Sequence, residues 1–157
     1  MKPRRGLLLA TMTVGILSGC SDDRGNYDNI TVTDINTRIG QSAYFSQMKA
    51  GDTKKLQKLY HIDPSVVSDF VLYTAVSNVK ADEFAVIKLK HTADVESVMD
   101  QIRQRIEAQT VKFQDYRPEE YDLIENHVLK SEGPFIFFAV SKGVDGMESA
   151  FDDAGVR

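Results

Sequence analysis

Residues 92–113 decide the fold, and they read TADVESVMDQIRQRIEAQTVKF. Apolar side chains recur there with the three-to-four-residue spacing of one helix face. The apolar stripe consists of Val95, Val98, Met99, Ile102, Ile106 and Phe113. Thr92 is placed to cap the first turn, and Asp94 and Glu96 complement the positive end of the helix dipole. The pattern therefore predicts a long amphipathic helix with one face packed against the rest of the domain.

Two pairs of predicted strands flank this helix. Residues 70–76 and 83–89 precede it; both are rich in aromatic and β-branched side chains, and a short polar turn separates them. Residues 128–129 and 135–141 follow it, with Glu132-Gly133-Pro134 between them. Two strands joined by a short loop most simply form an antiparallel hairpin. The sequence thus predicts an α+β domain with a four-stranded, mostly antiparallel sheet and the long helix across one face.

Shorter helices are predicted around this sheet. Ile35, Ile39, Ala43 and Met48 recur at near-helical spacing and favour a helix over residues 34–50. Further helices are predicted at 54–60, where Asp52 or Thr53 is the cap, after Pro118, and over 145–153. The first and last predicted strands are apolar at nearly every position. We therefore expect both faces of the sheet to be covered, the second face by the first helices.

The first twenty residues have the layout of a secretory signal peptide. A cationic start is followed by an apolar stretch, residues 6–17, and then by Leu17-Ser18-Gly19-Cys20. As a helix the twelve apolar-biased residues span about 18 Å, well short of a hydrocarbon core of about 30 Å. The last four residues resemble a lipobox, in which an aliphatic residue and two small residues precede a cysteine that takes diacylglycerol. The resemblance implies cleavage before Cys20 and lipid on its sulfur.

These features divide the chain into a signal peptide, residues 1–19, a flexible tether, residues 20–32, and a single α+β domain, residues 33–157. Cys20 is the single cysteine, so no disulfide competes for it. An ordinary cleaved signal with an incidental cysteine, or an uncut signal anchor, stays open as an alternative. The expected location is the extracytoplasmic face of the cell membrane.

Charge limits the classes of partner. The sequence has 19 Lys and Arg against 23 Asp and Glu; three of the basic residues and none of the acidic ones lie in residues 1–19, which leaves 16 against 23 and a formal charge of −7. This balance argues against nucleic acid, because phosphate binding needs a positive surface. It also argues against electrostatic adhesion to anionic lipid, so the acyl chains must anchor the protein. The expected partners are the membrane and an envelope protein or cell-wall component.

The end of the long helix and the loop after it follow the order R-x3-Q-x3-F-x2-Y-x-P-E-E-Y, from Arg105 to Tyr121. With the apolar strand at 135–140, this order is similar to the signature of bacterial lipoproteins grouped as domain-of-unknown-function family 4358. The resemblance covers roughly residues 53–141. It implies an anchored extracytoplasmic domain, and it brings no activity, cofactor or catalytic residue with it.

Arg105 and Gln109 are four residues apart and lie on one side of the long helix. In a structural interpretation, which the sequence favours, Gln109 bonds loop backbone and Arg105 pairs with a carboxylate such as Glu119 or Glu120. In a functional interpretation they belong to a contact site for an anionic or peptide ligand, which comprises Arg105, Gln109, Tyr116, Glu119 and Tyr121.

No motif in the sequence predicts a catalytic, cofactor or metal site. His61, His91 and His127 are far apart and lack metal-ligand spacing. Adjacent acidic residues point apart and cannot face each other across a cleft, and the serines lack a nucleophile elbow. We therefore predict neither cofactor nor metal. The last predicted strand, 135–141, would accept a partner strand if it lay at the sheet edge.

Two functions are compatible with these features. The first, which we prefer, is a non-enzymatic binding or accessory module of the cell envelope, tethered through Cys20. The alternative is a small extracytoplasmic hydrolase or ligand-binding protein with a site near the exit of the long helix. A deep pocket in which Arg105, Tyr116, Glu119 and Tyr121 converge would favour the alternative, and a filled core with a grooved surface would favour the first.

Overall fold

The computed structural model describes residues 27–40 and 43–155. Within them, five strands form one antiparallel sheet and five α-helices pack around it. The strands are β1 Met48–Ala50, β2 Val67–Ala75, β3 Glu83–Leu89, β4 Val128–Glu132 and β5 Phe135–Val140. The helices are α1 Val32–Ile39, α2 Thr53–Tyr60, α3 Val95–Phe113, α4 Pro118–Glu125 and α5 Val144–Asp152. The predicted α+β class is confirmed, and the sheet has one strand more than the predicted four.

The strand order is β1-β2-β3-β5-β4, and every neighbouring pair is antiparallel. The two predicted hairpins, β2–β3 and β4–β5, are present, and β3 joins them by pairing with β5. All six residues of β5 are buried. Because this apolar strand lies inside the sheet, it has no open edge, and the possibility that it accepts a partner strand there is ruled out.

The predicted helix over residues 34–50 is wrong in its second half. α1 ends at Ile39, Gly40 caps it, and Met48–Ala50 form β1, which pairs with residues 73–75 of β2. Periodic apolar residues do not distinguish one helix from a helix and a short strand. The backbone edge of β2, which supplies the hydrogen bonds of β1, is distant in sequence and leaves no local signal.

The sheet separates two apolar layers. α2, α3 and α4 pack on one face, over Ala85 and Ile87, whereas α1 and α5 pack on the other, over Phe84 and Val86. Successive side chains of β3 supply both layers because they point to opposite faces of the sheet. The prediction that helices cover both faces is confirmed. Of the first two helices only α1 lies opposite α3, however, and α2 packs beside α3.

The N-termini of α2 and α3 differ. The Asp52 carboxylate accepts a hydrogen bond from the Lys55 backbone N–H at 2.9 Å and caps α2, as predicted. Thr92, the predicted cap of the long helix, instead opens a short 3₁₀ turn, and α3 begins at Val95, where no side chain of the described residues caps it. The Asp52 cap fixes the start of α2 and therefore the position of Lys55 beside the sheet.

The first described residues lie against the end of the sheet where β3 ends and the β4–β5 turn begins. The Tyr27 hydroxyl donates to the Glu132 carboxylate at 3.2 Å, and Lys88 Nζ donates to the Tyr27 carbonyl at 3.0 Å. Gly133 has a φ of +53°, and a Cβ there would lie 2.3 Å from the Tyr27 ring, so both the turn and the close approach require glycine. Residues 27–32, which the sequence assigned to the tether, therefore contact the folded domain.

The predicted signal peptide, residues 1–19, and the predicted lipid site, Cys20, lie outside the described residues. In the part of the chain that the structure describes, none of the helices combines the length and the apolar character needed to cross a membrane. The lipid anchor therefore stays a prediction of the sequence.

Candidate functional site

A buried carboxylate lies at the start of β3, at the end of the strand opposite to the Tyr27 contact. Glu83, the first residue of the strand, is 2% exposed and faces α2 and α3. Its Oε1 accepts a hydrogen bond from the Tyr60 hydroxyl at 2.6 Å, and its carboxylate accepts from Nε and Nη2 of Arg105, the shortest distance being 2.7 Å. These partners compensate a burial that would otherwise cost on the order of several kcal/mol. Glu83 thus joins α2 to α3 through the sheet.

Tyr60 acts as a fixed donor in this cluster. Its ring is 1% exposed, and burial, followed by the charge of Glu83, raises the pKa of its phenol well above the ordinary value. The phenol therefore keeps its proton and donates a hydrogen bond to Glu83, and it does not serve as a base.

One edge of the Arg105 guanidinium has no hydrogen-bond acceptor among the described residues. Nε and Nη2 donate to Glu83, and no described residue accepts a hydrogen bond from Nη1. The side chain is 19% exposed and lines a groove between α2, α3 and the β2–β3 turn. A guanidinium carries five N–H donors in a rigid plane. The pair with Glu83 therefore holds the Arg105 plane still and leaves its Nη1 edge able to bind a ligand oxygen.

Lys55 enters the same groove from α2. Its Nζ donates to the hydroxyl of Thr74, a buried residue directly opposite Glu83 on the neighbouring strand. Burial, and then the nearby charge of Lys49, lowers the pKa of Lys55, and Arg105 adds to that effect. No carboxylate of the described residues lies within salt-bridge distance of its ammonium. Since an ammonium has three donors, Thr74 leaves part of its capacity unused.

These side chains belong to what we call the basic groove, a depression of about 270 Å³. Its basic residues are Lys49, Lys55, Lys80, Arg105 and Lys112, and its acidic residues are Asp82 and Glu83. Arg105 pairs with Glu83, and Lys80 pairs with Glu120, but among the described residues the other three bases form no ion pair. Positive charge is therefore concentrated here in a chain whose predicted mature form carries a formal charge of −7.

A second buried carboxylate holds the rim of the basic groove. Glu120, at the start of α4, is 3% exposed and accepts from the Ala81 backbone N–H at 2.8 Å and from Lys80 Nζ at 2.6 Å. Burial, and then the charge of Glu120, raises the pKa of the neighbouring Asp82. The β2–β3 turn is thereby fastened to α4, and Lys112 fastens it to α3 by donating to the Asn78 carbonyl at 2.7 Å.

The structural interpretation of Arg105 predicted a carboxylate partner and named the wrong one. The partner is Glu83, 22 positions earlier, whereas Glu120 binds Lys80 and the backbone of Ala81. Glu119 and Glu120 follow Arg105 closely in sequence, but strand pairing brings Glu83 under α3. Only the three-dimensional arrangement of sheet and helix identifies this partner.

The five candidate contact residues do not form one cluster. Arg105 and Gln109 line the basic groove. Tyr116 is 84% exposed, Glu119 borders a separate depression with Asp122 and Lys142, and Tyr121 packs against the apolar layer around α3. Ligand contact by any of them stays a prediction, and the alternative site near the exit of the long helix would have to be built from residues that lie apart.

Sequence reasoning missed four basic residues of the basic groove, namely Lys49, Lys55, Lys80 and Lys112. Lys55 follows Lys54, and the other three are single lysines in sequence. The elements that carry them, β1, α2, the β2–β3 turn and α3, meet only in the folded domain. A weak signal exists for Lys55, since the predicted Asp52 cap implies a helix whose first turn carries a lysine.

The basic groove has the chemistry of an anion receptor. Arg105, Lys55 and Lys49 present donors and positive charge, and the one phenol nearby is held in its protonated form. Across the described residues, no three His, Cys, Asp or Glu side chains are placed to hold a metal ion. The arrangement is therefore suited to binding an anionic group.

Comparison with known proteins identifies a family. The family model described as "Domain of unknown function (DUF4358)" matches residues 41–141. Neither a curated protein nor a solved structure matches the chain significantly. Because the family model covers more than half of the chain, the chain belongs to this family, and the resemblance inferred from the residues around α3 and α4 is confirmed.

Proposed function

For this member of the family, we propose a non-enzymatic binding module of the extracytoplasmic cell envelope that is held to the membrane by lipid on Cys20. The observation that supports binding is the basic groove, in which three lysines without ion pairs among the described residues gather beside Arg105. Like charges held together without counter-ions repel one another, and an anionic partner relieves that repulsion. The groove is therefore the proposed binding site.

The anchor is supported by the sequence Leu17-Ser18-Gly19-Cys20 and by the acidic balance of the residues that follow it. A domain with excess negative charge gains little from anionic lipid, so membrane attachment needs acyl chains, and a diacylglyceryl cysteine supplies two. From Cys20 to Tyr27 the chain has seven residue steps, which reach about 25 Å at most. The domain would thus work close to the bilayer.

The proposed partner is an envelope protein or a cell-wall component that carries negative charge. Opposite charge at a binding surface favours encounter and selects against positively charged competitors. The groove is small, at about 270 Å³, so a single charged group or the end of a chain fits it better than an extended surface.

In-cell cross-linking tests the binding proposal. Cross-linked membranes are prepared from cells that carry the wild-type chain, Lys55→Glu, or the control Lys54→Glu. Lys54 is exposed on the same helix and does not line the groove. We expect Lys55→Glu to lose the cross-linked partner and Lys54→Glu to keep it. Equal recovery from all three chains would contradict the proposal.

Cell fractionation tests the anchor separately. Cys20→Ser removes the acceptor sulfur, so the variant is expected to leave the membrane fraction, while Ser21→Ala serves as a neighbouring control that stays there. A Cys20→Ser chain that remains membrane-bound would refute lipid anchoring without bearing on the basic groove.

A further inference from the structure

Resting on the proposed function, we infer that the ligand of the basic groove carries a phosphate monoester, whose oxygens bind the Nη1 edge of Arg105 and the ammonium of Lys55. Free small phosphorylated molecules and envelope polymers with a terminal phosphate share this chemistry. The inference depends on donor geometry, on charge and on the residues that hold the donors in place.

The donors come from different directions. Arg105 extends from α3 with its plane held by Glu83, while Lys55 extends from α2 with its Nζ held by Thr74. Lys49 lies on β1, at a third side of the groove. A carboxylate has two oxygens, and the lone pairs of both lie in one plane. A tetrahedral phosphate has three terminal oxygens and can accept from the guanidinium and from lysines on other elements together.

The charge of the groove matches a dianion. Lys49, Lys55 and Lys112 form no ion pair among the described residues, and Asp82 is the one groove carboxylate for which no ion pair is seen there. The excess is about two positive charges. A phosphate monoester carries about −1.5 to −2 at neutral pH, whereas a carboxylate or an internal phosphodiester carries one negative charge. A monoester therefore neutralises the groove and the other two leave it positive.

Glu83 and Thr74 are positioning residues in this scheme. Their register places them opposite each other on adjacent strands, so the fixed sheet geometry sets the spacing between Arg105 and Lys55. Neither needs to contact the ligand. Holding donors before the ligand arrives lowers the entropy lost on binding.

Isothermal titration calorimetry of the full lipidated chain in non-ionic detergent tests the inference, with glycerol 3-phosphate as the probe. We expect Lys55→Gln to weaken binding roughly tenfold or more, because it removes a charge-assisted hydrogen bond, and the control Lys54→Gln to stay within about twofold. Equal weakening by the two variants would overturn the assignment of Lys55. Absence of heat with the wild-type chain at two well-separated temperatures, and hence absence of binding, would overturn the whole inference.

Two further probes distinguish recognition of a phosphate monoester from recognition of any anion with a single charge. Acetate and the diester glycerophosphoglycerol should bind about tenfold more weakly than glycerol 3-phosphate if the groove recognises a dianion. If either binds as tightly as the monoester, the phosphate-monoester assignment is wrong.

The role of Arg105 is tested by substituting it together with Glu83, because Arg105→Gln alone leaves a buried carboxylate without its partner. The double variant Glu83→Gln/Arg105→Gln removes both charges and is expected to fold, as judged by circular dichroism, yet to bind glycerol 3-phosphate at least about tenfold more weakly. A folded double variant with unchanged affinity would refute the role of Arg105.

The two ligand sources give different results with isolated cell wall. Phosphatase treatment that abolishes wall binding identifies the end of a polymer, and wall that never binds while glycerol 3-phosphate does identifies a small molecule. Both results support the shared chemistry.

The proposed function and this inference can fail separately. If cross-linking recovers a groove-dependent partner but no phosphate monoester binds, the inference fails and the proposed function stands. If glycerol 3-phosphate binds but cross-linking yields no partner, the accessory role fails and the groove assignment stands.

Discussion

Lys130 and Lys55 both place their side chains on the sheet, but their ammonium groups have opposite electrostatic surroundings. Lys130, on β4, donates to Asp152 at 2.6 Å and to Glu148 at 3.0 Å, both on α5. Burial alone lowers the pKa of Lys130, but these carboxylates outweigh it and raise the pKa. Lys55 meets a hydroxyl and other cations, and its pKa is lowered.

This contrast separates two uses of positive charge in one acidic domain. Around Lys130 the charge is neutralised within the fold and fastens α5 to the sheet edge. In the basic groove five basic side chains meet three carboxylates, counting Glu120 at the rim. The excess of positive charge is unfavourable for the free protein and favours an anionic ligand. The predicted effects below differ in size because substitutions act on one or the other kind of cluster.

The largest effect is expected for Arg105→Ala. It leaves Glu83 buried without its cationic partner, which should lower the free energy of unfolding by about 3–5 kcal/mol in urea titrations. Arg103, two positions earlier on α3, pairs with Glu96 and Asp100 on the exposed surface, so Arg103→Ala should cost less than about 1 kcal/mol. Similar losses for the two variants would show that Glu83 does not depend on Arg105.

A smaller loss is expected for Glu120→Ala. The substitution leaves the buried Ala81 N–H without its acceptor and frees the β2–β3 turn, at a cost of about 1–3 kcal/mol by thermal or urea unfolding. Glu119→Ala, at the exposed neighbouring position, should change stability by less than about 0.5 kcal/mol. An unchanged Glu120→Ala protein would mean that the rim of the basic groove is held by other contacts.

Lys130→Gln tests the neutralised cluster. The three side chains are each about a quarter to a third exposed, so the loss should be near 1 kcal/mol, as for a partly screened ion pair. High salt should reduce the difference from wild type. A salt-independent difference would point to the contact of the Lys130 ammonium with the Phe151 ring, 6.0 Å from its centroid, instead of the two carboxylates.

Lys55→Gln should have the smallest effect on the free energy of unfolding, and the effect should be stabilising where those of the other substitutions are destabilising. Removing a charge that its surroundings disfavour should leave stability equal to wild type or slightly higher, even though phosphate binding is weakened. Below the usual Lys value of 10.5, the unfolded chain binds more protons at this site than the folded one, so the stability contributed by Lys55 rises with pH. The groups that act on it are Lys49, Arg105, Glu83 and Asp52.

Differential scanning calorimetry across mildly alkaline pH checks this sign. The melting temperature of the wild type should approach that of Lys55→Gln as pH rises towards 10.5, while Lys54→Gln should follow the wild type. Tyr60, whose pKa is raised, affects all three chains alike and cancels in the comparison. A difference in melting temperature between wild type and Lys55→Gln that widens with pH would mean that the surroundings stabilise the charged form of Lys55.

Local pattern predicted the elements whose residues carry their own signal. β3 matches its predicted bounds of 83–89, because its apolar and β-branched residues are bounded by a polar turn on one side and by Lys90-His91 on the other. α3 ends at Phe113 as expected. β1 could not be predicted, because its partner, residues 73–75, lies far along the chain.

The site was less predictable than the fold. Arg105 and Gln109 stood out because they lie four apart on a helix, and both line the basic groove. The positions of Lys49 and Lys55 depend on where β1 and α2 meet the sheet. A buried Glu83 is not evident from sequence either, since a charged residue at the start of a strand usually indicates an exposed position.

The contact between Tyr27 and the β4–β5 turn sets a direction for the domain. Tyr27 reaches the sheet beside Lys88, near the end of β3, and the basic groove begins at Glu83, where β3 starts. The two points are separated by most of one strand, roughly 17–20 Å. If Cys20 carries lipid, the lipid-bearing segment would join the domain at one end of β3, and the basic groove would lie at the other end, about one strand length from that point of attachment.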